Sequence, residues 1–233
     1  MRKKIGALTI GQSPRNDIIP DLEVILGPEV DILQAGVLDD LSDSEITLLT
    51  SSNNEDTHNS HSNIEDNILV TRLRNSKWIS LSERKILPLI QQRLRQLEEQ
   101  GVNFNILLCT GAFPENFSIR KPLIFPQKLL SSVVPQLVSR VGVVVPEAYQ
   151  IAQCKERWEP IVRQVTVVHA NPYENTSGLE IATERFRDNR TELCVLDCMG
   201  YNLHMKNRLK DLTGLPVVLP RTLIARIMSE LLA

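Results

Sequence analysis

The sequence predicts an α/β protein built from two pseudo-symmetric halves with mostly parallel sheets and an inter-domain cleft. Apolar strand segments alternate with amphipathic helical segments, which is the pattern of parallel sheets covered by helices. A short strand with glycine in its second position occurs at residues 5–10 and again at 141–146. Two other apolar strands end in Cys-x-Gly, at Cys109 and at Cys198.

Composition excludes several classes of function. The 233 residues can bury a sizeable core, and the formal net charge of -2 comes with no basic stripe of the kind that nucleic-acid binding needs. No apolar run approaches the roughly 18 residues of a membrane span. The four cysteines lack zinc-ligand or CxxC spacing, so no metal site is predicted. With no export signal, we expect free thiols in a reducing cytoplasm.

The first half begins with the strand at 5–10, which ends at Gly11. Ser13 is predicted to cap a helix with Pro14 in its first position. Arg15 would lie in the first turn, where a helix N-terminus favours an anion, so it is a candidate ligand for a carboxylate. A solvated arginine fits the same pattern. Gly27 ends this helix, and a second strand follows from residue 30.

An insert then interrupts the alternation. Residues 51–63 are polar and low in complexity, which is typical of a surface loop. His58 and His61 have a spacing that metal ligands use, but no other ligand type is fixed nearby, which favours a solvated loop. A hairpin is predicted at 68–81, followed by an amphipathic helix that Ser82 caps.

The second half repeats this order without the insert. The predicted elements after the Cys109 strand are a strand at 123–125, a helix at 127–139, a strand at 141–146, a helix at 148–158, a strand at 165–169, a helix at 177–189, the Cys198 strand, a helix at 201–212, a strand at 217–219 and a helix at 221–232. The predicted domains are therefore 1–140, with an insert at about 38–81 and completed by the C-terminal helix 220–233, and 141–219.

The strand-end cysteines suggest a specific chemistry. Ligands bind beyond the carboxyl ends of parallel strands, where the prediction places both Cys109 and Cys198. One thiolate can remove a proton from carbon while the other thiol delivers a proton to the opposite face, which inverts a stereocentre without a cofactor. A thiol pKa of about 8.5 suits this task near neutral pH. The alternative is that both are core cysteines, as we predict for Cys154 and Cys194.

Polar and small residues near the same strand ends are predicted to bind the substrate. Arg15 and Arg221 are the candidates for binding a carboxylate. His204 either orients Cys198 or is a surface histidine, and Asp197 should point to the opposite face of its strand. The predicted substrate-binding residues are Thr9, Gln12, Ser13, Arg15, Thr110, Gly111, Met199, Gly200, Tyr201 and Arg221.

Four stretches carry a family resemblance: residues 8–15, 108–111, 196–201 and 223–226. They are similar to the AroM family along essentially the whole chain. More distantly, the chain resembles the aspartate/glutamate/hydantoin racemase superfamily. That resemblance implies two Rossmann/flavodoxin-like halves, each with one catalytic cysteine. Amino-acid racemases of this group usually follow the first cysteine with Asn-Thr and the second with Thr-His, and this chain has neither, which argues against an α-amino-acid substrate.

The predicted function is therefore a cofactor-independent racemase or isomerase that uses Cys109 and Cys198 on a small carboxylate or cyclic amide. One alternative is a small-metabolite binding protein of the same fold without catalysis. Another is a decarboxylase-like enzyme that uses a single cysteine. The expected partner is a small molecule. Neither nucleic acid nor a membrane is expected as a partner, and the sequence is compatible with a homo-oligomer.

Overall fold

A computed structural model describes residues 2–50, 67–174 and 177–233, so the prediction for His58 and His61 lies outside the described residues. The elements of the amino-terminal part are β1 (Lys3–Thr9), α1 (Ile19–Leu26), β2 (Val30–Gly36), α2 (Asp43–Leu49), β3 (Ile68–Arg72), β4 (Trp78–Ser82), α3 (Glu83–Glu99), β5 (Phe104–Leu107) and β6 (Leu123–Ile124). They continue with α4 (Pro126–Leu137), β7 (Arg140–Val145), α5 (Gln150–Trp158), β8 (Gln164–His169), α6 (Ser177–Asp188), β9 (Leu193–Leu196), α7 (Leu203–Thr213), β10 (Val217–Val218) and α8 (Pro220–Leu232).

Two four-stranded sheets confirm the predicted α/β class and the two halves. The first sheet has the strand order β2-β1-β5-β6, and all of its neighbours pair in parallel. The second has the order β8-β7-β9-β10, again with parallel pairs. Counting strands along the chain from β1 and from β7, and leaving out the β3–β4 hairpin, gives the same order in both sheets.

The contacts between Cα atoms divide the chain into two units. The first comprises Met1–Arg15 and Val30–Ile124, and the second comprises Asn16–Glu29 and Phe125–Ala233. Helix α8 packs against α1 and α4 within the second unit. This grouping differs from the predicted boundaries, which joined the C-terminal helix 220–233 to the first half. The buried faces explain it, because α1 and α8 each present an apolar stripe to the same interior.

The predicted helix start at Ser13 is wrong. Helix α1 begins at Ile19, with Pro20 in its first turn. The Ser13 hydroxyl instead donates to Asp39 Oδ2 at 2.6 Å, and the Ser13 backbone N–H donates to Asp39 Oδ1 at 2.7 Å. Because the carboxylate occupies both groups of the serine, Ser13 is held in a loop rather than at a helix terminus.

The hairpin and the helix after it are confirmed. Strands β3 and β4 pair in antiparallel register, with Leu69 opposite Leu81 and Thr71 opposite Ile79. Ser82 Oγ accepts the backbone N–H of Lys85 at 3.2 Å, as a capping residue does. The short helix α2 within the insert was not predicted. None of the described helices combines the length and the hydropathy that a membrane span requires.

Candidate functional site

Cys109 lies just beyond the carboxyl end of β5 in the first unit. The backbone N–H of Leu108 donates to Leu8 O at 2.7 Å, which ties the end of β5 to β1. The N–H of Cys109 turns back to Leu107 O at 2.8 Å. The N–H of Gly111 then donates to Cys109 Sγ at 3.4 Å. The turn therefore presents a half-buried thiol with a backbone donor directed at its sulfur.

Cys198 has the same pattern of backbone hydrogen bonds in the second unit. The N–H of Asp197 donates to Val144 O at 2.8 Å, and the N–H of Cys198 donates to Leu196 O at 2.9 Å. The N–H of Gly200 donates to Cys198 Sγ at 3.3 Å. A hydrogen bond to sulfur is stronger when the sulfur is charged, so both turns favour a thiolate by the same local means.

The four cysteines fall into two environments. Cys154 and Cys194 are fully buried, as predicted, whereas Cys109 and Cys198 are half-buried. Burial raises the pKa of Cys194 to about 12. Burial, and then the charge of Asp197, raise the pKa of Cys154 even further. The two core thiols therefore stay protonated at neutral pH, and the two strand-end thiols are the accessible ones.

A helix follows only one of the two cysteine turns. Helix α7 begins at Leu203, and Asn202 Oδ1 caps it by accepting the N–H of Met205 at 3.0 Å. Between Cys109 and Pro126 the chain, all of it described, forms no helix. A helix N-terminus therefore follows Cys198 closely, but none follows Cys109 before Pro126.

Asp197 points to the opposite face of β9 from Cys198, as the alternation along a strand predicts. Its Oδ2 accepts from Arg157 Nη2 at 3.0 Å and lies 4.0 Å from Cys154 Sγ. Cys198 packs on the other side, among residues of the cluster that includes Tyr201. His204 is exposed on α7.

The structure brings Thr9 and Arg15 together at the carboxyl end of β1. Arg15 is only 7% exposed although it lies in a loop. Its Nη1 donates to Thr9 Oγ1 at 3.2 Å, and its backbone N–H donates to Gln34 Oε1 at 2.7 Å. A buried guanidinium at a sheet edge where ligands bind is a suitable group for holding a carboxylate.

Gln12 and Ser13 contact protein groups that the sequence did not reveal. Arg74, from the β3–β4 turn, donates through Nε to Ser13 O at 2.5 Å and through its backbone N–H to Gln12 Oε1 at 3.0 Å. Its Nη2 binds Asp39 Oδ1 at 2.7 Å. Asp39 and Arg74 are thus missed residues of this region. Their contacts span 26 to 62 positions of sequence, so local patterns carry no signal for them.

Arg221 is 1% exposed, and its partners are protein groups. Nε donates to the carbonyl oxygen of Met199 at 3.1 Å, and Nη2 donates to the same oxygen. Nη1 donates to Asp17 O at 2.8 Å and to Asp21 Oδ2 at 2.9 Å. This guanidinium therefore fixes the turn after Cys198, a different set of partners from the substrate carboxylate that the sequence suggested.

Tyr201 and Thr110 are also buried, at 1% and 8% exposure. The Tyr201 hydroxyl donates to Ala170 O at 2.6 Å, and burial raises its pKa well above the ordinary value. Tyr173, which the sequence analysis missed, donates to Asp17 Oδ2 at 2.7 Å. Its hydroxyl lies 2.9 Å from the point where a Cβ on Gly200 would stand, so it lines the Cys198 turn.

A family model described as AroM protein matches residues 5–232, which is nearly the whole chain. The chain belongs to the AroM family. No curated protein matches this AroM family member.

Solved structures share its fold at low sequence identity. The allantoin racemase from Pseudomonas fluorescens has a TM-score of 0.61 and 13% identity, over 98% of this chain and 90% of that chain. The maleate isomerase from Pseudomonas putida S16 has a TM-score of 0.61 and 10% identity, over 99% and 92%. An arylmalonate decarboxylase has a TM-score of 0.55 and 15% identity, over 98% and 91%. Racemase, isomerase and decarboxylase structures thus share the fold of this AroM protein.

Proposed function

We propose that this AroM protein is a cofactor-independent racemase or isomerase in which Cys109 and Cys198 act as an acid/base pair. The observation that supports it most is the matching pair of cysteine turns. In each sheet, the cysteine turn follows the third of the four strands in chain order. Each turn exposes a thiol and directs a glycine N–H at its sulfur. A purely structural cysteine gains nothing from that combination.

The proposed reaction is balanced without a co-reactant. One thiolate takes a proton from a carbon next to a carbonyl group, which leaves an enolate and a neutral thiol. The other cysteine, as a thiol, gives its proton to the opposite face of the same carbon and becomes a thiolate. The product is the mirror-image centre, and the two sulfurs have exchanged protonation states. The glycine N–H groups stabilise whichever sulfur carries the charge.

The proposed substrate is a small carboxylate or a cyclic amide. Arg15 and Thr9 hold its anionic or carbonyl end, and Thr110, Gly111, Met199 and Gly200 form the turns that face it. The similar structures support this size class, because allantoin, maleate and arylmalonate are small molecules with amide or carboxylate groups. Arg221 acts on the substrate indirectly, by holding the carbonyl of Met199. Gln12 and Ser13 act indirectly by holding Arg74 of the hairpin turn, and Tyr201 by binding the carbonyl of Ala170.

The test is proton exchange in D2O with purified protein and a panel of hydantoins, hydroxy acids and amino acids. Wild type should replace the proton on the stereocentre of both enantiomers of a substrate with deuterium. Cys109→Ser and Cys198→Ser should each abolish racemisation, and each should keep exchange with a different enantiomer. Cys194→Ala is the matched control, because that thiol is buried away from the turns and its loss should leave exchange intact.

Other outcomes would select another function. Loss of activity in only one serine variant, together with CO2 release from malonates, indicates a single-cysteine decarboxylase. A ligand that raises the melting temperature of wild type and of both serine variants equally, without exchange, indicates a binding protein. Either result contradicts the two-cysteine mechanism.

A further inference from the structure

The β3–β4 hairpin packs on two turns of the first unit. Its strands pair only with each other within the described sheets, apart from one bridge from Thr50 to Leu81. Leu69 and Thr71 share one face of β3, and each is 3% exposed. Side chains two apart on a strand point the same way, so this face is directed at the body of the unit.

The face of β3 that carries Leu69 and Thr71 packs on two glycines, Gly11 and Gly111. A Cβ on Gly11 would stand 2.3 Å from Thr71 Oγ1 and 2.7 Å from the carbonyl oxygen of Arg72. A Cβ on Gly111 would stand 2.5 Å from Leu69 Cδ2. The hairpin therefore occupies the space that any larger residue at these positions would need.

Leu69 is consequently a neighbour of the reactive turn. The Cβ position on Gly111 that is 2.5 Å from Leu69 Cδ2 is also 3.4 Å from Cys109 Sγ. Leu69 Cδ2 and Cys109 Sγ therefore lie within about 6 Å of each other, the sum of the two distances. The contacts of Arg74 with Ser13 and Asp39 hold the hairpin turn against the loop after β1.

The corresponding position in the second unit has a different neighbour. Above Gly200 the nearest atoms are the hydroxyl of Tyr173 at 2.9 Å and Cγ of Pro172 at 3.0 Å. The described residues of the second unit form no equivalent of the hairpin, and a loop after β8 supplies these side chains. The two cysteine turns thus share their backbone pattern but differ in what lines them. Leu69 of the hairpin and Phe113, whose Cε2 would be 3.2 Å from a Cβ on Gly111, lie at the Cys109 turn, whereas Tyr173 and Pro172 lie at the Cys198 turn.

We propose that Leu69 is the specificity-determining residue of the Cys109 turn. It sets the size limit for the group that approaches Cys109 and offers that group an apolar surface. The hairpin insert is then a selectivity element that this chain adds to one of two otherwise similar turns. That Leu69 selects among substrates, and not only among molecules that reach the Cys109 thiol, rests on the proposed function.

The test uses thiol alkylation, which needs no substrate. The full chain is treated with iodoacetamide, which is small, and with N-phenylmaleimide, which is bulky and aromatic, and modification of each cysteine is followed by peptide mass spectrometry. For Cys109, the ratio of the bulky rate to the small rate should rise on the order of tenfold in Leu69→Ala, as removal of a pocket-wall side chain does elsewhere. Cys198 in the same sample is the internal reference, and its ratio should not change.

Val70→Ala is the matched control, because Val70 is the next residue on β3 and points to the other face. It should leave the ratio at Cys109 unchanged. If Leu69→Ala does not fold, Leu69→Val should give a smaller rise in the same direction. An unchanged ratio at Cys109 in the folded variant, or an equal rise at Cys198 or in Val70→Ala, overturns the proposal. Absence of racemisation in the exchange experiment would remove the proposed function but leave this result standing.

Discussion

The buried thiol of Cys194 makes the stability of the protein depend on pH. Its pKa is raised from an ordinary 9.0 to about 12 by burial, so the folded state binds the proton more tightly than the unfolded state. The stability that this thiol contributes is complete below about pH 9. It is lost as pH rises from 9 towards 12, because the unfolded chain gains by ionising the thiol and the folded chain does not.

We therefore predict that wild type loses unfolding free energy above pH 9 faster than Cys194→Ala does. The unfolding free energy of wild type minus that of Cys194→Ala should fall by up to about 1.4 kcal/mol for each pH unit between 9 and 11. Urea unfolding at pH 8, 9, 10 and 11 measures it. Parallel curves for the two proteins across this range would contradict the assignment of Cys194 to a desolvated site.

The guanidinium of Arg221 yields a second prediction at this scale. Arg221→Gln removes donors from the Met199 carbonyl and leaves Asp21 without its cation, so the free energy of unfolding should fall by about 2–3 kcal/mol. The side chain of Asp21 is 25% exposed, which keeps the loss below that of a fully buried pair. Urea unfolding at pH 7 measures the change. Arg226→Gln, an exposed position on the same helix, should change it by less than about 0.5 kcal/mol.

At the scale of elements, the docking of the hairpin depends on glycine. Gly11→Ala would bring a methyl group to 2.7 Å from the backbone oxygen of Arg72, which cannot rotate away as a side chain can. We predict a loss of about 1–3 kcal/mol in unfolding free energy, the usual cost of overpacking, with faster amide exchange in β3 and β4. Hydrogen-exchange mass spectrometry locates the effect.

The control for this prediction is Gly142→Ala in the second unit. A Cβ there would meet the ring of Phe186 at 2.8 Å, so faster exchange should appear in α6 and not in the hairpin. If Gly11→Ala speeds exchange in both units equally, the hairpin is not the element that the substitution displaces.

Two serines show which elements the sequence could predict. Ser82 was expected to cap a helix, and it does, because its partner Lys85 is three residues away and the apolar face of α3 follows directly. Ser13 was expected to do the same and does not. Its hydroxyl is bound by Asp39, 26 residues away, and no local rule weighs a distant carboxylate against a helix N-terminus.

At the scale of the whole molecule, the order of elements was predictable and the grouping of helices was not. The repeat of strands is recognisable despite the insert, because it consists of local apolar patterns. It predicted both cysteine turns. The assignment of α8 was different, because its apolar stripe fits several partners equally well on paper. Its contacts with α1 are made between residues 200 apart, as for Arg221 and Asp21.

This grouping predicts how fragments behave. A fragment of residues 125–233 lacks α1, so it exposes the face of α8 that α1 covers and should unfold at lower urea concentration than the same fragment with residues 16–29 attached through a flexible linker. Attaching a segment that carries Leu22→Asp, which puts a charge at a fully buried position, should give no gain. Circular dichroism during urea titration measures all three. Equal midpoints for the three proteins would contradict the grouping.

The partnership of α1 with α8 also has a consequence for synthesis on the ribosome. The apolar residues Ile19, Leu22 and Leu26 are synthesised about 200 residues before the helix that covers them. At elongation rates of 5–20 residues per second, that interval is roughly 10–40 s. For that time the nascent chain carries an uncovered apolar helix, which is a natural binding site for a chaperone, and the second unit cannot complete its packing until α8 has been translated.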